Sequence, residues 1–165
     1  MKPPKSMISN FRNEGKQCSS VYECDKVNTH ITSAPALIAL ALIYLKTENK
    51  AIVKRIKIPN SFCALEECNP NTIIMKTIAK NLILWSQIQN TQSFITSQIP
   101  PLIRFIYENN IKSISEKYSM IYSIDEIDYH TVSLIYMNTI GGCVMGMGMK
   151  YAGTCDKTAT NTIIK

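Results

Sequence analysis

The sequence predicts an all-α protein built from stacked helical pairs, and three observations lead to this prediction. Apolar residues recur at helical spacing, glycines cluster within one apolar run, and a nine-residue pattern occurs twice. Residues 39–47 align without a gap on residues 146–154, 107 positions later. Helical pairs that cannot bury their own apolar faces are stabilised by stacking, as in an α-solenoid. The alternative is two unrelated core helices that share Tyr and Thr by chance.

The glycine-rich run spans residues 140–154 and holds Gly141, Gly142, Gly146 and Gly148. A glycine inside a helix costs about 0.5–1 kcal/mol relative to alanine, so four together need a reason. The usual reason is that a residue without a side chain lets another helix approach closely. Gly142 and Gly146 are four apart and share one face, and Gly148 lies about 120° further round. We predict that Gly142, Gly146 and Gly148 face another helix.

Five other residues are expected to pack between helices. They are Ala39, Ala41 and Tyr44 in the first copy of the pattern, Tyr151 in the second copy, and Trp85. The alanines are the small residues of the first copy, and each tyrosine precedes a turn. Trp85 ends an apolar stripe and is expected to be a core anchor rather than a platform for a ligand.

Two parts of the chain differ in character. Residues 1–28 show no apolar period and are expected to be a flexible segment, whereas residues 29–165 are expected to form the helical domain. Ser33 is the predicted N-cap of the first helix, with Pro35 in its first turn. This helix is apolar on nearly all sides up to Thr47, so we expect it to be buried.

The middle of the chain is predicted to be helical up to a surface loop. The elements are a short basic helix from Asn49 to Lys57, a helical turn within 61–68, a long helix from Pro70 to about Gln89, short helices over 91–98 and 102–108, and the loop over 109–123.

The last long helix is predicted over residues 126–152, with Asp125, Glu126 and Asp128 at its start. Three carboxylates beside His130 resemble a metal or acid–base cluster, but the positive end of the helix dipole explains them better. From Thr131 to Met149 the helix carries no charge, which is also typical of a membrane span. Polar residues inside it and the shortness of the first copy favour a buried helix of a soluble protein.

Composition narrows the classes of function. The net charge of +6 owes much to the basic stretch 46–57, which is interpreted as a solvated face. Phosphate, acidic lipid and acidic protein surfaces are its alternative partners, but no aromatic residues are interleaved with it as in nucleic-acid binders. The six cysteines have no spacing typical of zinc sites, so we expect reduced thiols in a nuclear or cytoplasmic protein. No nucleophile–base pair or phosphate loop is recognisable.

The sequence resembles a known family, the largest scaffold subunit of the anaphase-promoting complex, or cyclosome. The matching residues are Thr32-Ser33, Leu40–Asn49, Pro70, Lys76–Trp85, Gln98–Pro100, His130, Ile140–Cys143 and Tyr151–Gly153. The family has Pro-Gly where Ala34-Pro35 stands here, and the basic cluster of Lys54, Arg55 and Lys57 is not expected from it. Large non-ATPase subunits of the proteasome regulatory particle share the small-residue repeats and are the alternative family.

The resemblance implies a non-catalytic part of an α-solenoid toroid made of proteasome/cyclosome repeats. Residues 29–165 would hold one repeat, an insertion and the start of the next, as a fragment of a longer scaffold. The implied partners are other subunits of a multi-subunit ubiquitin ligase. No catalytic residue, metal, cofactor, nucleic acid, membrane or small molecule is implied. A small basic nucleic-acid-binding module is the alternative in a different functional class.

Overall fold

The computed structural model describes residues 22–23, 26–27, 29–109 and 128–164. Most of the N-terminal segment 1–28, and all but the first residue of the predicted loop 109–123, lie outside the described residues. Strand β1 (Tyr22–Glu23) pairs antiparallel with β2 (Lys26–Val27).

The described residues after this strand pair fold into eight α-helices and two short 3₁₀ turns. The α-helices are α1 (Thr29–Ile43), α2 (Lys50–Val53), α3 (Phe62–Glu66), α4 (Ile73–Ile83), α5 (Gln92–Gln98), α6 (Pro101–Glu108), α7 (Tyr129–Lys150) and α8 (Lys157–Ile164), and the 3₁₀ turns are Pro70–Thr72 and Trp85–Gln87. The predicted all-α class is confirmed.

The predicted entry into helix α1 is wrong. The helix begins at Thr29, so Ser33 lies inside it, and the Ser33 hydroxyl is buried without a hydrogen-bond partner. Pro35 is likewise inside the helix rather than in its first turn, where it removes one backbone hydrogen bond. The helix ends at Ile43 instead of Thr47 because Lys46 has a left-handed φ of 58° that no helix can continue through.

The long helix predicted from Pro70 to Gln89 is broken into three pieces. Asn69 accepts a hydrogen bond from the Asn71 amide at 3.1 Å, and Pro70 takes the first position of a 3₁₀ turn that leads into α4, as the Asn-Pro pair predicts. Helix α4 ends early because the carbonyls of Leu82 and Ile83 accept the amides of Lys46 and Glu48, at 3.0 and 3.1 Å. A tertiary contact therefore replaces the next helical turn.

The remaining boundaries differ by a few residues. Only Lys50–Val53 of the predicted basic helix is α-helical, capped by Asn49. Helix α7 begins after Asp128, which accepts the His130 amide at 3.0 Å. Hydrogen bonds, first from the Thr131 hydroxyl, lower the pKa of the Asp128 carboxyl. Asp125 and Glu126 lie outside the described residues, and the described ones contain no group of three His, Cys, Asp or Glu that could hold a metal.

Helix α4 lies between α1 and α7. Its residues Thr77 and Asn81 contact α7, whereas Ala79 and Ile83 belong to the apolar cluster shared with α1. Residues two apart on a helix point about 200° apart, so these are opposite faces of α4. Helices α1, α4 and α7 therefore pack side by side, in this order, in one layer.

Helix α7 is the common support of α3, α4, α5, α6 and α8. Its first half packs on α3 and α6, and its second half packs on α5 and α8. By length and composition it is also able to cross a membrane, with a mean hydropathy of 1.3 over 18 residues. Core helices of soluble proteins meet the same criterion, so this single helix is weak support for a span.

Candidate functional site

The contact between α4 and α7 contains two of the predicted packing glycines. A Cβ atom on Gly142 would lie 2.6 Å from the Thr77 Cβ and 2.9 Å from the Ile74 carbonyl oxygen. A Cβ atom on Gly146 would lie 2.8 Å from Nδ2 and 2.9 Å from Cβ of Asn81. These distances are shorter than Cβ contacts in proteins, so only glycine allows this approach of the two helices.

Polar groups inside the α4–α7 contact are hydrogen-bonded. Asn81 Nδ2 donates to the Gly142 carbonyl at 3.3 Å. The buried hydroxyls of Thr77 and Thr139 donate to carbonyls one turn back, at 3.0 and 2.8 Å. Burial raises the pKa of the neighbouring Cys143 thiol to about 11, so this thiol stays protonated at neutral pH. The contact therefore has the features of a structural interface, with its buried polar groups hydrogen-bonded and its thiol protonated.

The contact between α1 and α4 uses one of the two predicted alanines. Ala41 is fully buried and joins Ala79 and Ile83 in one apolar cluster, with the partly buried Tyr44 packed against it. Ala39, two residues earlier, is exposed. The prediction for Ala39 is wrong because α1 turns the opposite face toward α4.

The prediction for Gly148 is also wrong. Gly148 is exposed, and a Cβ atom placed on it would have no heavy atom within 4 Å. In the repeat, Gly148 corresponds to the buried Ala41, and Gly146 corresponds to the exposed Ala39. The two copies therefore present opposite faces to α4. The face that packs on α4 in one copy is exposed to solvent in the other.

The turn after each copy has the same backbone conformation. Left-handed φ angles occur at Lys46 (58°) and Glu48 (55°), and again at Gly153 (74°) and Cys155 (53°), the equivalent positions of the repeat. These four are the positive-φ residues of the described chain. A non-glycine residue with such a φ is uncommon, so their recurrence in register indicates a repeated structure rather than chance.

Hydrogen bonds in the two turns match as well. Thr47 Oγ1 donates to the Tyr44 carbonyl at 2.8 Å, and Thr154 Oγ1 donates to the Tyr151 carbonyl at 2.7 Å. Asn49 then caps α2 by accepting the Ile52 amide, as Asp156 caps α8 by accepting the Ala159 amide. The repeat thus continues past the nine aligned residues through the start of the following helix. These caps are visible in the sequence as Asn and Asp at equivalent positions.

Trp85 lies beside the first turn and is half-buried. Its indole packs at the edge of the cluster formed by α5, α7 and α8, and the Lys46 ammonium stands 4.5 Å from the ring centroid. Glu48 accepts the Ser86 amide at 2.8 Å, and this bond lowers the pKa of the Glu48 carboxyl. The pattern of charged residues in the sequence did not indicate that Lys46 and Glu48 make the contacts that hold this turn.

The second turn is tied down by a different lysine. Lys150 Nζ donates to the carbonyls of Ser86 and Ile88, at 3.1 and 2.6 Å. Tyr151, which follows it, is half-buried against the same cluster as Trp85. The structure thus brings Gly142 and Gly146 onto one face of α4 and Ala41 and Tyr44 onto the other.

The left-handed turn supports a prediction with opposite signs at two exposed cysteines. Cys155→Gly is expected to raise the free energy of unfolding by about 0.5–1 kcal/mol, because glycine adopts φ near 53° without strain. Cys63→Gly, inside helix α3, is expected to lower it by about 0.5 kcal/mol. Urea unfolding followed by circular dichroism measures both. If both substitutions changed the free energy of unfolding in the same direction, the left-handed turn at Cys155 would be contradicted.

Comparison with known proteins places this repeat in a family. The family model described as the APC1 fifth domain matches residues 4–165. Anaphase-promoting complex subunit 1 of Arabidopsis thaliana is 30% identical over 162 residues, covering 98% of this chain and 9% of the relative. The Homo sapiens protein of the same name is 31% identical over 145 residues, covering 88% and 7%. A relative in Emericella nidulans, named negative regulator of mitosis, is 22% identical over 133 residues, covering 80% and 6%.

These matches are collinear with nearly the whole chain, but the chain spans less than a tenth of the length of these relatives. They do not favour the proteasome alternative. The family model covers nearly the whole chain, and the chain belongs to the anaphase-promoting complex subunit 1 family.

Proposed function

We propose that this chain is a non-catalytic scaffold segment of the anaphase-promoting complex, a multi-subunit ubiquitin ligase, and that it supports ubiquitination of cell-cycle proteins and progress through mitosis. The observation that carries the proposal is the repeated turn whose two copies pack opposite faces on α4. Such a unit is suited to continuing a stack of helices on both sides, as an α-solenoid does.

Backbone donors in the second turn support continuation of the stack. In the first turn, the amides of Lys46 and Glu48 donate to the last carbonyls of α4. The equivalent amides of Gly153 and Cys155 have no hydrogen-bond partner within the described residues. The second turn therefore offers the same donor pair to the C-terminal end of another helix.

An apolar surface shared by both copies supports a protein partner. Ile38 and Leu42 of α1 are 44% and 59% exposed, and their equivalents Met145 and Met149 of α7 are 51% and 39% exposed. Large apolar side chains at equivalent exposed positions are typical of an interaction surface. Other subunits of the ligase are the proposed partners, rather than nucleic acid, a membrane or a small molecule. The proposed location is the nucleus and cytoplasm.

Affinity purification from cells tests this proposal. The tagged chain is expected to recover other subunits of the anaphase-promoting complex, identified by mass spectrometry. The double variant Met145→Glu and Met149→Glu is expected to reduce this recovery about tenfold or more, because it places charges in an apolar interface. Phe105→Glu is the control, since Phe105 is 48% exposed on α6, outside the repeat.

Three outcomes would contradict the proposal. Recovery with proteasome subunits would place the chain in a different complex from the proposed one. Equal loss with Phe105→Glu would show that added charge alone disturbs the fold. Recovery of no partner, from a chain that sediments as a stable monomer, would oppose any scaffold role.

A further inference from the structure

A cavity of about 500 Å³ opens on the side of the molecule where α3 and α4 begin. One wall is segment 57–60, which has no regular secondary structure; another is α3 with the turn that follows it, and Lys76 of α4 forms the third. Neither the glycine contact nor the repeated turn involves this cavity. It is a separate feature of the fold.

Segment 57–60 presents unused backbone donors. The amides of Ile58 and Asn60 make no hydrogen bond within the described part of the chain. Ile58 precedes Pro59, and a residue before proline is biased toward extended backbone. In extended backbone, residues two apart direct their amides to the same side. Pro59, between them, is buried and has no amide to leave unsatisfied there. The segment therefore resembles a free strand edge to which another extended chain can pair.

The cavity also carries a positive charge. Lys57 and Lys76 line it, and neither forms an ion pair among the described residues. Among the described lining residues Glu67 is the one carboxylate, so the two ammonium groups exceed it by one charge. The exposed Lys54 and Arg55 precede Lys57 in the chain and add to the local positive potential. This charge favours an acidic ligand.

The lining distinguishes a peptide from a nucleic acid. In the described part of the chain, the cavity is lined by Lys57, Ile58, Pro59, Asn60, Ser61, Ala64, Glu67, Cys68 and Lys76, with no aromatic side chain among them. Binding of single strands relies on stacking of bases on aromatic rings, whereas pairing with an extended peptide needs backbone donors and acceptors.

We propose that this cavity binds an extended acidic peptide segment of a protein partner. The peptide backbone pairs with Ile58 and Asn60, and peptide carboxylates on alternate residues reach Lys57 and Lys76. The proposal goes beyond the scaffold role because it assigns a peptide-binding site to a surface outside the helical repeat. It holds or fails independently of the surface formed by Met145 and Met149.

Fluorescence anisotropy with the 165-residue chain tests the binding. The probe is a labelled ten-residue peptide with Glu at alternate positions and Ser and Val between them. We expect saturable binding that weakens about tenfold or more in the double variant Lys57→Glu and Lys76→Glu. Lys50→Glu with Lys157→Glu is the matched control, because it makes the same charge change at exposed positions outside the cavity lining. We expect it to weaken binding by less than about threefold.

Two further probes test the mode of binding. The same peptide with Gln in place of Glu tests the charge, and a peptide with N-methylated alternate residues tests the backbone pairing; both are expected to bind at least about tenfold more weakly. A single-stranded oligonucleotide of equal charge is the competitor. Tighter binding of the oligonucleotide would overturn the proposal in favour of nucleic acid.

Two cysteines provide a footprint of the site. Cys68 lines the cavity, and burial raises the pKa of its thiol, whereas Cys63 is exposed on α3 outside the lining. Bound peptide is expected to slow maleimide labelling of Cys68 several-fold and to leave Cys63 unchanged, as read by mass spectrometry. Equal weakening by both lysine pairs, or protection of neither cysteine, would show that the peptide does not bind in this cavity.

Discussion

A Gly142→Ala substitution is expected to lower the free energy of unfolding by about 1–3 kcal/mol. The added methyl would lie 2.6 Å from the Thr77 Cβ and 2.9 Å from the Ile74 carbonyl oxygen. Neither atom is the end of a flexible side chain, so the helices α4 and α7 must move apart to admit it. Their separation would also stretch the hydrogen bond from Asn81 to the Gly142 carbonyl. Urea unfolding of the chain followed at 222 nm measures the change.

Gly148→Ala is the matched control for this substitution. Gly148 lies in the same helix, and a methyl there meets nothing within 4 Å. Alanine is the better helix former, so the control is expected to raise the free energy of unfolding by about 0.5–1 kcal/mol. Stabilisation by Gly142→Ala as well would mean that α4 and α7 are not in close contact. Gly146→Leu is expected to destabilise in the same direction as Gly142→Ala, because it inserts four carbon atoms against Asn81.

Ile83→Ala is expected to lower the free energy of unfolding by about 2–5 kcal/mol. Ile83 is fully buried near the end of α4, where it packs with Ala41 and Ala79. Removing its side chain leaves a cavity under α1, next to the carbonyl that accepts the Glu48 amide. The loss should appear both in urea unfolding and in the fluorescence of the nearby Trp85.

Ile43→Ala makes the same chemical change on the neighbouring helix. Ile43 is 72% exposed at the end of α1, so its truncation is expected to change the free energy of unfolding by less than about 0.5 kcal/mol. A large loss at Ile43 would instead indicate that this side chain is covered, for example by self-association of the chain. Repeating the measurement at two protein concentrations separates these cases.

Local signals predicted the elements whose causes are local. Asn69-Pro70 marked the start of a helical segment, and the Asn49 and Asp156 positions cap the helices after each turn. Glycines four apart marked the face of α7 that lies against α4. In these cases the residue type recognised in the sequence itself forms the cap or the close helix contact.

Tertiary contacts decided what the sequence could not predict. Helix α4 stops at Ile83 because amides from a turn 35 and 36 residues earlier donate to its last carbonyls. The exposed positions of Ala39 and Gly148 follow from which side of each copy meets α4, and both copies have small residues on both sides. Periodicity shows that a helix face carries small residues. It does not show which of two such faces packs against a neighbouring helix.

The central place of α4 has a consequence for cooperativity. In a stack whose units contact only their neighbours, each unit can in principle open separately. Here a single helix of 11 residues, α4, packs against both copies of the repeat. Its last carbonyls also accept hydrogen bonds from the first turn. Opening either side therefore removes one of the two helices that pack on α4 and weakens the support of the other. A chain assembled from repeated parts is thus expected to unfold as one unit, with α4 as the link between them.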